Sequence, residues 1–422
     1  MSTFRTAKWV RLVVLALGVG VIFQLPYIRE TFYVPLQNAL QVNDAQMGAL
    51  NAGFAMTATV SYFLGGFVAD RFSSRKLIAF SLISTGLLGL WFASFPGYDI
   101  SRLIYVLWGV TTIVTYFPAL IKATRNLGGS DEQGRMFGFQ EGLRGLANTL
   151  LVFGMLAVFN AFGGGVTGVS WAISVCAISN IVIGVLSYIF LADDLPAENR
   201  ETVKELASGI VEVLKNPRIW LITAVVFTTY TAYGLIAYAS PYIVRFAGAS
   251  EELSVTIGGT RYIIQFFGGV LGGILADRIG SRLKVIIAGY VGIILTYGLY
   301  FVIPATQAAI PFLIANFMLG MFVIYVMRSL YFAIIDESRV PVRITGRASG
   351  VITALGYTPD LFTFIMVGSW MDSFGRMGFQ MTFGYAMAMA AVGMVLAIIL
   401  FRSIQRGAQG APDPNETMEV VK

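Results

Sequence analysis

GGFVADRFSSRK at residues 65–76 returns as GGILADRIGSRLK at residues 272–284. Asp70 and Asp277 hold the same place in the two copies, 207 positions apart in a chain of 422 residues. Each copy closes one apolar run of membrane-spanning length and opens the next. The paired glycines suit close helix packing. The aspartate suits acceptance from a helix N-terminus, and the basic cluster suits anionic headgroups. One such loop would read as an ordinary positive loop between spans. Two, at matching places in the two halves of one chain, mark a pair of parallel repeats, an arrangement used by transporters. Gly134-Arg135 and Gly346-Arg347, each opening a later span, form a fainter second echo.

Composition agrees with this. The chain is 56% hydrophobic and 12% charged, whereas soluble domains are about a quarter charged. An all-α membrane protein is expected, with twelve spans near 9–36, 46–69, 77–95, 102–124, 136–161, 167–191, 218–245, 254–276, 284–303, 308–335, 346–370 and 378–401. Turn formers such as FPGYD, FGGGVTG and IPATQ separate them. The N-terminus runs into the first span without a small-residue cleavage site, so no cleavable leader is expected. The single cysteine, Cys176, allows no internal disulfide and no cysteine metal cluster. With no histidine in the chain, any proton coupling falls to carboxylates. No metal site, no cofactor, no G-x-x-x-x-G-K-[ST] loop and no catalytic constellation is read, which argues against an ATP-driven pump and against an enzyme.

The net charge of +6 is topological. If both termini are cytoplasmic, 22 of the 29 lysines and arginines fall on the inner side and only Arg102, Arg245 and Arg376 on the outer. That pattern attracts headgroups, not nucleic acid. It predicts an inner (plasma) membrane protein of a bacterium with both termini cytoplasmic, and a monomer is expected. Four units follow: a six-helix half at 1–191, a cytoplasmic linker at 192–217, a second half at 218–406 and a disordered tail at 407–422. In the linker, Val203, Leu206, Ile210 and Leu214 recur at helical spacing, as in an amphipathic helix on the inner membrane face.

Four arginines remain inside spans: Arg29, Arg144, Arg261 and Arg328. Ionisable residues at such depth mark functional sites by default. Arginine stays charged and grips carboxylate, sulfonate or phosphate bidentately. Arg29 and Arg261 are expected to face the outer half of a central cavity, and Arg144 and Arg328 its inner half, with Tyr262 and Gln265 beside Arg261. Tyr27, Tyr33, Tyr230, Tyr233 and Gln140 are weaker lining candidates. Glu141 and Asp360 are the proton-coupling candidates. Plainer readings stand beside these. Arg29 or Arg261 snorkels to the interface, Glu141 and Arg144 form a helix-stabilising pair, or Arg328 pairs with Asp360. Glu30, about 100° round the helix from Arg29, reads as a contact to a neighbouring helix.

The repeated loop resembles that of the major facilitator superfamily, over the whole chain. The resemblance implies a gate built from Gly66, Asp70, Arg71 and Arg75, echoed by Gly273, Asp277 and Arg278, with Asp70 locking the second helix to the eleventh when the carrier faces outward. Here the first copy has Phe72-Ser73 where the second has Ile279-Gly280. YIRETFYVP at 27–35 and the region 108–145 resemble the organophosphate:phosphate exchangers. By that resemblance, Arg29 falls where the exchangers hold a substrate phosphate, and Arg144 falls close to a basic binding residue. Their second phosphate arginine is replaced by Ala232, leaving Arg261 as the compensating candidate. The implied function is alternating-access transport of a small organic anion, with a proton or counter-anion as partner. A proton-driven exporter of lipophilic compounds and a transporter-like anion sensor are the alternatives. Four embedded arginines argue against the first, and the short linker and tail against the second.

Overall fold

The structure is a computed structural model that describes residues 2–128, 132–193, 203–338, 340 and 342–408. The expected tail beyond residue 408 and the start of the linker lie outside the described residues. Among the described residues there are only helices and turns, and ten helical stretches are long and apolar enough to cross a membrane. Two further rods of comparable length pack among them and are numbered with them as spans one and two. The first is α1 (Ser2–Ile22) continued by α2 (Arg29–Leu40), and the second is α3 (Asp44–Ala69).

Spans three to six are α4 (Ser74–Phe92), α5 (Tyr98–Gly109) with α6 (Phe117–Arg125), α7 (Gln133–Ala161) and α8 (Gly165–Phe190). A linker helix, α9 (Val203–Leu214), follows. Spans seven to nine are α10 (Pro217–Leu235) with α11 (Ala239–Ala247), α12 (Glu251–Ile279) and α13 (Arg282–Val302). Span ten is α14 (Ile310–Leu330) with the short α15 (Ile334–Glu337). Spans eleven and twelve are α16 (Val342–Gly356) with α17 (Pro359–Phe374), and α18 (Arg376–Ala408).

Packing repeats along with the sequence. Span three lies on six (α4 on α8) and nine on twelve (α13 on α18). Span one lies on five (α1 on α7) and seven on eleven (α10 on α16). The halves meet through α3 on α17 and through α12 on α2 and α7. The linker helix packs against α16 and α10.

Five spans are broken, and the breaks in spans one, seven and eleven lie beside the site. Pro26 cannot continue α1, and residues 23–28 run as turns before the helix resumes at Arg29. A 3-10 turn at Ile236–Tyr238 interrupts span seven. Pro359 restarts span eleven after Gly356, which puts Asp360 near the middle of the span, in the first turn of α17. Backbone irregularity at membrane depth is tolerated where it is buried in protein or lines a cavity.

The repeated loops turn out asymmetric. The first glycine of each pair makes the close approach: a Cβ on Gly65 would sit 2.5 Å from Pro118 Cγ, and one on Gly272 2.9 Å from the Val326 carbonyl oxygen. Gly273 faces open space. Gly280 ends α12 in the left-handed region at φ +71°. Ser73 makes the corresponding turn in extended conformation, at φ −64°. The expected acceptance from a helix N-terminus occurs, but the acceptor differs. Glu337, at the end of α15, takes the amides of Arg282 (2.8 Å) and Leu283 (3.2 Å) and the Ser281 hydroxyl (2.5 Å), while Asp277 is exposed. Arg75 reaches Asp193 after span six at 2.7 Å, and Arg71 folds back onto the Phe67 ring and carbonyl.

Candidate functional site: a basic cavity under a closed gate

The bundle has a basic end, carrying the described termini and both repeated loops, and a far end. The far end is shut by contacts between the halves. Asp44, at the start of α3, is 4% exposed. It accepts Arg245 Nη1 at 2.6 Å and Nη2 at 2.9 Å, the Tyr33 hydroxyl at 2.8 Å and Gln37 Nε2 at 3.0 Å. Asp372 in α17 accepts the amides of Asp44 (3.0 Å) and Ala45 (2.9 Å), so a C-half carboxylate caps an N-half helix. Asn38 donates to Glu251 across the same seam at 3.0 Å. Backbones touch here. A Cβ on Gly48 would strike the Phe364 carbonyl, and one on Gly368 the Asp44 carbonyl.

Arg29 belongs to this seal. It is 2% exposed, with its guanidinium 3.9 Å from the Phe364 ring centroid and Nη1 3.5 Å from the Tyr238 hydroxyl, both on C-half spans. A desolvated stack of this kind contributes about 2 kcal/mol. Arg29 does not line the cavity in this conformation.

Below the seal lies a cavity of about 160 Å³, walled among others by Tyr27, Arg144, Tyr230, Arg261, Gln265 and Arg328. That is room for a small organic molecule. Arg144, one of the cavity's walls, pairs with the more exposed Glu141, one turn nearer the start of α7. Three of the four embedded arginines therefore share one wall system, with Tyr262 and Gln265 beside them.

Their partners differ. Arg261 is paired with Glu30 and donates Nη2 to the Tyr233 hydroxyl at 2.7 Å. Arg144 meets Glu141 at 3.2 Å, one helical turn away. Among the described residues, Arg328 has no carboxylate within ion-pair distance. It lies over the Tyr233 ring at 3.9 Å, and Asp360 instead accepts from the Tyr230 hydroxyl at 2.8 Å. The Arg328–Asp360 pair considered from sequence is thus not formed. Tyr262 donates to Gln24 Oε1 at 2.7 Å, and Gln24 in turn donates to Asn148. Tyr33 and Gln140 lie elsewhere, Tyr33 in the seal and Gln140 receiving the Thr124 hydroxyl at 2.6 Å. Ala232 is fully buried, its carbonyl accepting Tyr297 at 2.7 Å.

Sequence reasoning missed the seal itself. Arg245 counted only as an outer positive charge, and nothing local ties it to Asp44, 201 positions away. The Asp44–Asp372 contact was equally invisible. The signal available was weak: an acid at the first residue of a long apolar helix.

A bundle of apolar helical spans in two like halves, closed at one end above a polar cavity, is the architecture of a membrane transport protein. Residues 12–362 match the Major Facilitator Superfamily, and the chain belongs to that family. Two Escherichia coli (strain K12) relatives are similar along nearly their full length. Inner membrane protein YihN is 31% identical over 94% of this chain and 96% of its own. Inner membrane protein YqcE is 30% identical over 96% and 97%. A putative glycerol-3-phosphate transporter 2 of Arabidopsis thaliana is 22% identical over 57% of this chain and 53% of its own. Two solved structures share the fold. A bacterial homolog to the human lysosomal transporter Spinster, inward-facing and unoccupied, superposes with TM-score 0.74 at 13% identity, covering 95% of this chain and 98% of that one. A mutant form of the nucleoside transporter NupG gives 0.74 at 15% identity over 94% and 100%.

Proposed function

We propose that this protein is a secondary active transporter that moves a small organic anion by alternating access. The substrate class is a phosphate ester, sulfonate, sugar acid or carboxylate. The observation that carries the reading is Arg328, a guanidinium at membrane depth that faces the cavity and leans on a tyrosine ring with no carboxylate to neutralise it among the described residues. A cation so placed is costly unless an anion visits it. Arg144 and Arg261 surround the same space, so an anionic group there meets several forked donors. Similarity to a putative glycerol-3-phosphate transporter supports the anion class. Homologous inner membrane proteins and the arginine distribution support a bacterial inner-membrane location with both termini cytoplasmic. On that orientation the sealed far end is external and the conformation is inward-open. Arg29 then enters the transport cycle when the seal opens.

The test is a thermal-shift screen of the purified protein against glycerol 3-phosphate, isethionate, gluconate and succinate. Binding to the folded state raises the melting temperature by mass action. Stabilisation by one class supports the reading, and counterflow of that anion in proteoliposomes separates carrier from sensor. A flat response to all four, with stabilisation by a neutral or cationic lipophile, would overturn it.

A further inference from the structure

Glu30 is the one acid among the described residues that wall the cavity. It lies on the N-terminal half and is paired with Arg261 on the C-terminal half, the two side chains 6% and 5% exposed. The Tyr233 hydroxyl touches both, accepting from Arg261 Nη2 at 2.7 Å and donating to Glu30 Oε2 at 3.5 Å. Arg261 Nε is buried without an acceptor. Arg261 is thus a substrate-type arginine whose outer edge is already occupied by a carboxylate from the opposite half.

We propose that Glu30 is the proton-coupling carboxylate and that it trades places with the substrate anion on Arg261. This rests on the anion reading above. The anion takes the guanidinium edge. Glu30, released, takes one proton from solvent onto its freed carboxylate oxygen. No covalent bond is made or broken beyond that O–H. An ionised carboxylate stripped of its cation in so closed a site is strongly disfavoured, and protonation removes the penalty. Two loadings can therefore be occluded: the empty Glu30–Arg261 pair, or anion on Arg261 with protonated Glu30. Anion with ionised Glu30 cannot. That rule makes the transporter an anion–proton symporter.

Two further guanidiniums, Arg144 and Arg328, wall the same cavity, Arg328 lying over the Tyr233 ring, but among the described residues only Arg261 is within ion-pair distance of Glu30. Tyr233 faces it from α10, Tyr262 from α12, Tyr105 from α5, Tyr27 from the turn before α2 and Asp360 from α17. Arg29, its chain neighbour, is turned to Phe364 and Tyr238. The two acids picked from sequence fit less well. The Glu141 side chain is 60% exposed, and Asp360 accepts from a tyrosine and forms no ion pair with an arginine among the described residues.

The experiment uses the full chain in detergent, with whichever of glycerol 3-phosphate, isethionate, gluconate or succinate stabilises it. Affinity is measured from pH 6 to 8, and proton uptake on binding is followed with an indicator dye in weak buffer. One linked proton weakens binding about tenfold per pH unit, and close to one proton enters per anion bound. E30Q keeps the shape, binds the anion more tightly and loses both the slope and the uptake. Comparison with E30Q also subtracts any titration of the ligand itself. A wild-type affinity without slope, or a slope unchanged in E30Q but lost in D360N, overturns the assignment and leaves anion transport standing. If no anion stabilises the wild type, the anion reading falls and this inference with it. If E30Q folds poorly, a slope retained in D360N with a ligand that does not titrate between pH 6 and 8, such as isethionate, supports the assignment, and its loss in D360N overturns it.

Discussion

Neutralising Asp44 is the sharpest way to open the sealed end. Its carboxylate accepts four hydrogen bonds, two of them from Arg245 on the other half. D44N keeps the shape and removes the charge. Breaking a fully buried pair costs about 3–5 kcal/mol and an exposed one about 0–1. The Arg245 side chain is 27% exposed and that of Asp44 5%, so about 2–3 kcal/mol is the appropriate range. The pair exists only while the halves are closed at this end, so the whole loss falls on the closed state. At about 1.4 kcal/mol per tenfold, the equilibrium shifts roughly 30- to 150-fold toward opening. The assay is the spin-label distance between A39C and E252C, which sit on opposite halves beside the seal. The native Cys176 is fully buried and adds little background labelling. The wild type should give a short distance, and D44N a growing long-distance population. The double variant D44N/R245Q should resemble D44N alone, because both changes remove one interaction. A D44N distribution identical to wild type would refute the view that this ion pair holds the far end shut.

Three further outcomes follow from the geometry. R328A should lose the ligand-induced melting shift and transport while inserting normally, since Arg328 makes no ion pair among the described residues that would be left broken. R29A should separate binding from turnover: ligand still stabilises the protein, because Arg29 is outside the cavity, but proteoliposome uptake is lost. G368V should hold the far end apart, as its Cβ would meet the Asp44 carbonyl. The A39C/E252C distance should lengthen as in D44N, with no effect of added anion on the short population.

The helical class, the spans and the internal repeat were legible in the chain because each rests on local quantities. Twenty apolar residues must cross a bilayer as helix, since backbone groups in hydrocarbon have no other partners. The ADR loops at Asp70 and Asp277, the linker helix and the four embedded arginines were read the same way. Even the opposition of Arg29 and Glu30 was visible, because helical spacing sends adjacent side chains to different faces.

What each side chain meets was decided only by the tertiary structure. Sequence placed Arg29 and Arg261 as equals in the outer cavity. Folding put Arg29 into the seal with Phe364 and Tyr238 and gave Arg261 to Glu30. It left Arg328 without Asp360 and handed the helix-capping role expected of Asp277 to Glu337. The physical reason is common to all of these. An embedded charge must find a partner, but the partner comes from whichever helix the packing of two distant halves brings near. Hydropathy and period, which are properties of neighbours in the chain, carry no record of that choice.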